Sequence, residues 1–376
     1  MISAEEFRES KYDRAERITW WDQSKLLTSR VLVVGAGALG NELVKNLALV
    51  GVGKIDIVDM DSIEHTNLAR CIFFREGDEG KFKASTLAEA AGKVNPDCII
   101  QAFDMKVQEL GQGSFLEYDL VLGGLDNREA RLWVNATCRH LGITWIDGAI
   151  EGLQGLVRTF GVDGPCYECT LGEKDWEILT FRKSCALLSP EEMKLGRTPT
   201  NATTSSVVAG FQVQEAIKYL VGRSELSALQ GKSWNFLGES MSSWITELPE
   251  DPDCFAHMQY PKPVHRLEIE SFREIVNSSG FGEGAVIDFP DDFLSITSCP
   301  KCGVGKSSGL RGSVPLGAGR CQVCDQELAI SSVTRIGAKD EIMDLNILEM
   351  NWPLSEIVIC SEGDRAESFA LSSRRS

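Results

Sequence analysis

The run VLVVGAGALGNELVKNLA, residues 31–48, leaves a chain little freedom in how it folds. Val31–Val34 is a continuous aliphatic run of the kind found in strands buried on both faces. Three glycines then follow as GxGxxG, and a helical pattern begins. In such a turn Gly35 permits the tight reversal, Gly37 lets a phosphate approach the backbone, and Gly40 lets the helix pack close to the strand. The helix N-terminus adds free N–H groups and positive dipole. The next strand, KIDIVDMD, ends at Asp59, where a carboxylate can accept hydrogen bonds from ribose hydroxyls. A glycine turn of this type also serves plain packing, so the fingerprint alone predicts nucleotide binding and no reaction.

Further along, short β-branched runs alternate with helical patterns, which predicts an α/β fold with a Rossmann-like sheet. Strands are expected at Val31–Val34, Ile55–Val58, Cys98–Phe103, Asp119–Leu122 and Thr144–Ile146. Helices are expected near Leu39–Val50, Lys83–Val94 and Asn127–His140. Leu153–Phe160 reads as one more strand. Residues 172–202 carry charge and two prolines without a steady period, which predicts a long loop. Val207, Val208, Phe211, Ala216, Ile217 and Leu220 then define a helix, with Gly222 where a C-terminal cap belongs. After about residue 262 the texture changes to glycine-rich turns around a second cysteine cluster. The stretch EIMDLNILEMNWPLSEIVIC suits strands or short helices. The expected division is therefore 1–261 and a smaller domain, 262–376, consistent with the size at which one core stops growing.

Composition narrows the partners. Lysine and arginine total 38 against 55 acids, a formal net charge of −17. Such a surface repels phosphate backbones and anionic lipids, so neither nucleic acid nor membrane is expected as a main partner. No apolar stretch is long enough to span a bilayer and the start carries no signal-type core, which predicts a soluble, cytoplasmic chain. Seven of the 12 cysteines, with one histidine, fall into four tight pairs: Cys166/Cys169, Cys254/His257, Cys299/Cys302 and Cys321/Cys324. Such pairs suit zinc in a reducing compartment. Of Cys71, Cys98, Cys138, Cys185 and Cys360, most are expected to be small buried hydrophobes.

What points beyond mere nucleotide binding is the set of residues after the glycine turn. Asn67 and Arg70 lie in DMDSIEHTNLAR, Lys83 in GKFKA, and Asp126 in LGGLDN. Most sit in loops after strands and can gather at one edge of the sheet. Cations there suit triphosphate charge and a carboxylate suits magnesium, an arrangement hydride transfer does not need. Taken in order and spacing, GAGALG, DMDSIEHTNLAR, GKFKA, LDN and the CxxC pair resemble the adenylation domain of ubiquitin-activating enzymes and their bacterial relatives ThiF and MoeB, over about residues 10–260. The resemblance implies that Asp59 holds ribose, that Asn67, Arg70 and Lys83 contact ATP phosphates, and that Asp126 binds Mg2+. YDRAER resembles the family's YxRQ segment, whose arginine reaches the ATP of a partner subunit. Arg14 takes that place, implying a homodimer, although Ala15 stands where the family has glutamine.

The family also closes a structural zinc with two CxxC pairs; here Cys166, Cys169, Cys254 and His257 would form a Cys3His set. The spacing of Cys299/Cys302 and Cys321/Cys324 predicts a second zinc in a ribbon, residues 299–324, which the resemblance does not cover. Cys185, in FRKSCALLSPEE, resembles the catalytic cysteine of ubiquitin-like-activating enzymes, with Pro190 nearby. Arg182 and Lys183 favour its thiolate, while Ala186, Leu187 and Leu188 fit a buried hydrophobe instead.

The expected activity is ATP-dependent adenylation of the C-terminal glycine carboxylate of a ubiquitin-like protein, thioester formation on Cys185, and hand-over to a conjugating enzyme. Three alternatives compete: adenylation of a sulfur-carrier protein for cofactor synthesis, an inactive subunit of a heterodimeric activator, and a nicotinamide-dependent oxidoreductase.

Overall fold

The computed structural model describes residues 10–176, 199–289, 294–303, 305–308, 320–321, 323–326, 329–350 and 352–373. Cys185 and most of the loop 172–202 lie outside the described residues. Two compact units appear. Of the described residues, the first holds 10–107, 117–173 and 199–257; the second holds 108–116, 174–176 and those from 258 onward.

The first unit is built on eight strands: β1 (Arg30–Val34), β2 (Lys54–Val58), β3 (Ile99–Phe103), β4 (Leu120–Gly123), β5 (Trp145–Glu151), β6 (Gln154–Phe160), β7 (Lys232–Leu237) and β8 (Ser242–Glu247). Their spatial order is β3-β2-β1-β4-β5-β6-β7-β8. The first five run parallel and the last three turn antiparallel. The order reverses at β1, whose neighbours are β2 and β4, and the crevice beyond the carboxyl ends of these strands is where open α/β sheets bind ligands. Helices α1 (Ala38–Val50), α2 (Lys83–Gly92), α3 (Arg128–Leu141) and α4 (Ala202–Leu220) connect and flank the strands.

Side-chain alternation explains the core. Val31, Val33, Ile55, Ile57, Leu120 and Leu122 share one sheet face and bury Leu43 and Leu47 of α1, Leu87 of α2 and Val208, Ala209 and Val213 of α4. Each fully buried aliphatic side chain contributes roughly 1.5–3 kcal/mol. Helix ends follow their caps. Asn127 and Asn201 accept from the N–H of Ala130 and Thr204. Gly51 and Gly142 close α1 and α3 in the left-handed region, and Gly222 lies just past α4 at φ +75°.

The second unit has a five-stranded sheet ordered β14-β10-β15-β16-β9 and a three-stranded sheet ordered β12-β11-β13. Its strands are β9 (Val264–Ile269), β10 (Val286–Asp288), β11 (Leu294–Ser298), β12 (Gly305–Ser308), β13 (Ala329–Val333), β14 (Arg335–Gly337), β15 (Glu356–Glu362) and β16 (Arg365–Ser373), with helix α5 (Arg273–Ser279) after β9. Phe272, Ile275, Ile287, Met343, Val358 and Leu371 form a separate core. Residues 108–116 join this unit by backbone pairing: Gly113 N–H donates to Ser355 O at 2.9 Å and Ser355 N–H to Leu110 O at 3.0 Å. The stretch before β15 forms two short 3-10 helices, Glu341–Asp344 and Ile347–Met350. No helix among the described residues is long and apolar enough to cross a membrane.

Candidate active site

The glycine turn follows β1. Gly35 has φ +102°, where side chains are strained, and a Cβ on it would meet Gly124 O at 2.6 Å. A Cβ on Gly40 would meet Gly35 O at 1.9 Å, whereas one on Gly37 meets nothing within 4 Å. Gly35 and Gly40 therefore serve packing, and Gly37 faces open space at the N-terminus of α1. Asn41, fully buried, secures the turn. Its amide donates to Ala36 O at 2.9 Å and Gly37 O at 3.1 Å, and its carbonyl accepts from Phe73 N–H at 3.1 Å. One side chain thus ties the glycine turn to the loop that carries Arg70.

Asp59 continues from β2. One carboxylate oxygen accepts from Ala36 N–H at 2.7 Å and the other from Asp61 N–H at 2.8 Å. Burial holds its pKa above the ordinary aspartate value, with Ala36 N–H and Lys83 pulling the other way. Lys83 opens α2, its ammonium 2.8 Å from Asp61. Arg70 reaches the Thr200 hydroxyl, while its buried Nε has no hydrogen-bond partner among the described residues. Burial pushes the Cys71 thiol up to about 11, opposed by Arg70 and Lys83 and aided by Asp59. Open space over Gly37, an uncommitted guanidinium nitrogen and a carboxylate beside the turn fit a nucleoside triphosphate.

Asn67 is engaged otherwise. It is 3% exposed, and its Oδ1 accepts Glu64 N–H at 2.8 Å in a reciprocal capping box. Asp126 is exposed in the loop between β4 and α3. That loop abuts the glycine turn, since Gly124 N–H donates to Val34 O at 2.8 Å. Arg14 is not brought to its own chain's turn. The neighbouring Tyr12 hydroxyl packs against Gly51 at the far end of α1, and 13 helical residues span roughly 20 Å.

Sequence reasoning missed a polar stripe on α3. Arg131, Asn135 and Arg139 recur every four residues and all are buried. Arg131 Nε donates to Asp147 Oδ1 at 3.2 Å, and its NH2 group to Leu125 O at 2.6 Å and Gly148 O at 3.1 Å. Burial opposes its charge, but Asp147, Tyr167 and Asp126 outweigh that and hold its pKa above the usual arginine value. Asn135 accepts Tyr167 N–H at 2.7 Å and donates to Cys166 Sγ at 3.5 Å. Arg139 donates to Gly161 O at 3.1 Å. The four-residue spacing of three polar side chains on one face was the available signal.

Two clusters could hold a metal ion. Ligand atoms of Cys166, Cys169, Cys254 and His257 all lie within 4.8 Å of one another, as do those of Cys299, Cys302, Cys321 and Cys324. Cys166 Sγ is 3.7 Å from Cys169 Sγ and from Cys254 Sγ, and Cys169 Sγ is 3.3 Å from His257 Nε2. In the second cluster Cys299–Cys324, Cys302–Cys321 and Cys302–Cys324 are 3.4, 3.3 and 3.6 Å apart. A tetrahedron of Zn–S bonds of about 2.3 Å has S–S edges near ~3.8 Å, so both sets fit. Cys71, Cys98, Cys138 and Cys360 are buried, and burial raises each thiol, as expected for core cysteines.

The sequence profile of the ThiF family matches residues 11–256. The SAMP-activating enzyme E1 of Haloferax volcanii is 33% identical over 243 residues, covering 62% of this chain and 81% of that enzyme. A probable molybdopterin-synthase adenylyltransferase of Porphyra purpurea is 31% identical over 231 residues, covering 60% of this chain and 58% of the relative. The chain spans under half the length of the SUMO- and NEDD8-activating relatives it matches. In fold it is similar to E. coli MccB, solved with ATP, at a TM-score of 0.55 and 22% identity, over 67% of this chain and 75% of that one.

Proposed function

Because this chain belongs to the ThiF family, we propose that it adenylates the C-terminal carboxylate of a ubiquitin-like protein and then holds that protein as a thioester on Cys185. The observation that carries this reading is the set of charges around the glycine turn: Asp59 accepts Ala36 N–H within the turn at 2.7 Å, Asn41 ties the turn to the loop of Arg70, and Lys83 stands 2.8 Å from Asp61, two residues beyond Asp59. A relative named as an activating enzyme E1, similar over 81% of its length, supports the same reading.

In the proposed reaction Asp59 accepts hydrogen bonds from ribose, and the N-terminus of α1 at Gly37 receives phosphate. The carrier's carboxylate oxygen attacks the α-phosphorus, the bond to the β-phosphate oxygen breaks, and pyrophosphate leaves. Arg70 and Lys83 stabilise the charge that gathers on phosphate. Holding two anions in line, which repel each other in water, supplies much of the barrier reduction. Asp126, exposed beside the turn, would hold Mg2+, which neutralises pyrophosphate charge. Asn67 acts indirectly, shaping the Arg70 loop through its capping box. Arg14 lies at the far end of α1, which fits service to the ATP of a second protomer in a homodimer.

The Cys185 thiolate, favoured by Arg182 and Lys183, then attacks the acyl carbon and expels AMP. A conjugating enzyme takes the carrier from there. Both clusters would hold zinc in structural roles, Cys166, Cys169, Cys254 and His257 as a Cys3His knuckle and Cys299, Cys302, Cys321 and Cys324 as a ribbon within the 262–376 domain, with 1–261 as the adenylation domain. Paired zinc-type cysteines suit the cytoplasm. A second reading, activation of a sulfur carrier, is favoured by the resemblance to a named molybdopterin-synthase adenylyltransferase.

The test is a non-reducing gel of the protein mixed with ATP and a ubiquitin-like partner. A higher band cleared by thiol and lost in Cys185→Ala is expected. Adenylate formation without any such band favours sulfur transfer.

A further inference from the structure

Asp126 is an exposed carboxylate on a short loop, yet a metal-holding acid needs a fixed direction. Fixation comes from two flanks. On one, Asn127 caps α3 by accepting Ala130 N–H at 2.7 Å. On the other, the peptide joining Leu125 to Asp126 is held through its carbonyl, which receives the Arg131 NH2 group at 2.6 Å. The same NH2 group donates to Gly148 O at 3.1 Å, and Nε donates to Asp147 Oδ1 at 3.2 Å. One guanidinium therefore spans the Asp126 loop and the middle of β5.

The grip is itself anchored. Asp147 is fully buried and also receives Arg158 NH2 at 2.5 Å. Arg131 is 9% exposed, and the Asp147 carboxylate that faces it offsets the cost of burying its charge. Its planar fork donates in several fixed directions at once, which a lysine ammonium on a flexible stem does not reproduce.

We infer that Arg131 is a positioning residue for Asp126, fixing the peptide that sets the direction of the metal-holding carboxylate. Its effect falls on divalent-metal affinity in the nucleotide complex, with nucleotide affinity itself spared. This rests on the proposed role of Asp126, and the test separates the two. Partners that orient a metal-holding group typically change metal affinity by about 10–100-fold when removed.

The experiment titrates Mn2+ into the full-length protein with ATP and no carrier, following water-proton relaxation, for the wild type, Asp126→Asn, Arg131→Lys and Arg131→Gln. ATP binding in EDTA is measured in parallel. Asp126→Asn is expected to abolish the tight Mn2+ class. Arg131→Lys and Arg131→Gln are expected to weaken it about tenfold or more, with ATP binding in EDTA changed less than about twofold. An Asp126→Asn protein that keeps wild-type Mn2+ affinity defeats the reading of Asp126. Loss in Asp126→Asn with wild-type affinity in both Arg131 variants defeats the inference alone. So does equal loss of ATP binding in EDTA, or failure of Arg131→Lys to fold, because either makes the residue simply structural.

Discussion

Replacing Gly37 with alanine separates what the glycine turn does for the fold from what it does for a ligand. Gly37 caps α1 with φ −72° and ψ −158°, which alanine adopts without strain, and an added Cβ meets nothing within 4 Å. The fold should therefore lose no more than about 1 kcal/mol, the cost of alanine being a poorer helix N-cap than glycine. The new methyl would stand where a phosphate meets the first N–H groups of α1. A hydrogen bond to a charged group contributes about 1.5–3 kcal/mol, so losing one raises the Kd for ATP roughly 10- to 150-fold. Gly40→Ala is the opposite case. Its Cβ would lie 1.9 Å from Gly35 O, so buried backbone must yield by roughly 1 Å, an overpacking cost of about 1–3 kcal/mol or more. Urea unfolding and ATP titration calorimetry on both variants decide the matter. Equal destabilisation by the two substitutions, or wild-type ATP affinity in Gly37→Ala, refutes the assignment of Gly37 to phosphate.

Burial raises the Asp59 pKa, so the folded protein takes up this proton at higher pH than the unfolded chain, and the associated stability is lost as pH rises through the folded value. Ribose hydroxyls need the carboxylate form, so ATP affinity should fall on acidification above the ordinary aspartate range, and calorimetry of Asp59→Asn should show that limb flattened. Asn135→Ala removes the donor to Cys166 Sγ and strands the Tyr167 N–H; zinc loss to a chromogenic chelator should quicken about tenfold or more, and an unchanged rate counts against the contact. A chain ending at residue 261 deprives Leu110 and Phe115, now at most 1% exposed, of their second-unit partners. It should bind a hydrophobic dye and aggregate sooner than the full chain, in contrast to a cleanly separable tail.

Much of the first unit was legible because its signals are local. β1, the glycine turn and α1 follow one another in 21 residues, Arg30–Val50, and each parallel strand reads as a short aliphatic run. The β7–β8 hairpin was not legible. Ser242–Glu247 is exposed throughout, so no alternation marks it as a strand. Both cysteine clusters could be read from spacing, because ligand pairs that a metal could gather recur at short intervals along the chain. Asp59, Arg70 and Lys83 were legible as charges after strands. The buried amide of Asn41 and the α3 stripe were hidden, because their partners are backbone groups far along the chain: Phe73 for Asn41, Gly148 for Arg131 and Tyr167 for Asn135. Nor does composition announce that residues 108–116 pair with Ser355.

Acyl-adenylate formation is tested most directly by ATP–pyrophosphate exchange in the presence of a ubiquitin-like protein ending in glycine. Exchange should require the free C-terminal carboxylate, vanish when that carboxylate is amidated, and fall steeply in Arg70→Ala and Lys83→Ala. Exchange that ignores amidation, or its absence with every carrier tried while ATP still binds, would contradict adenylation of a carrier carboxylate.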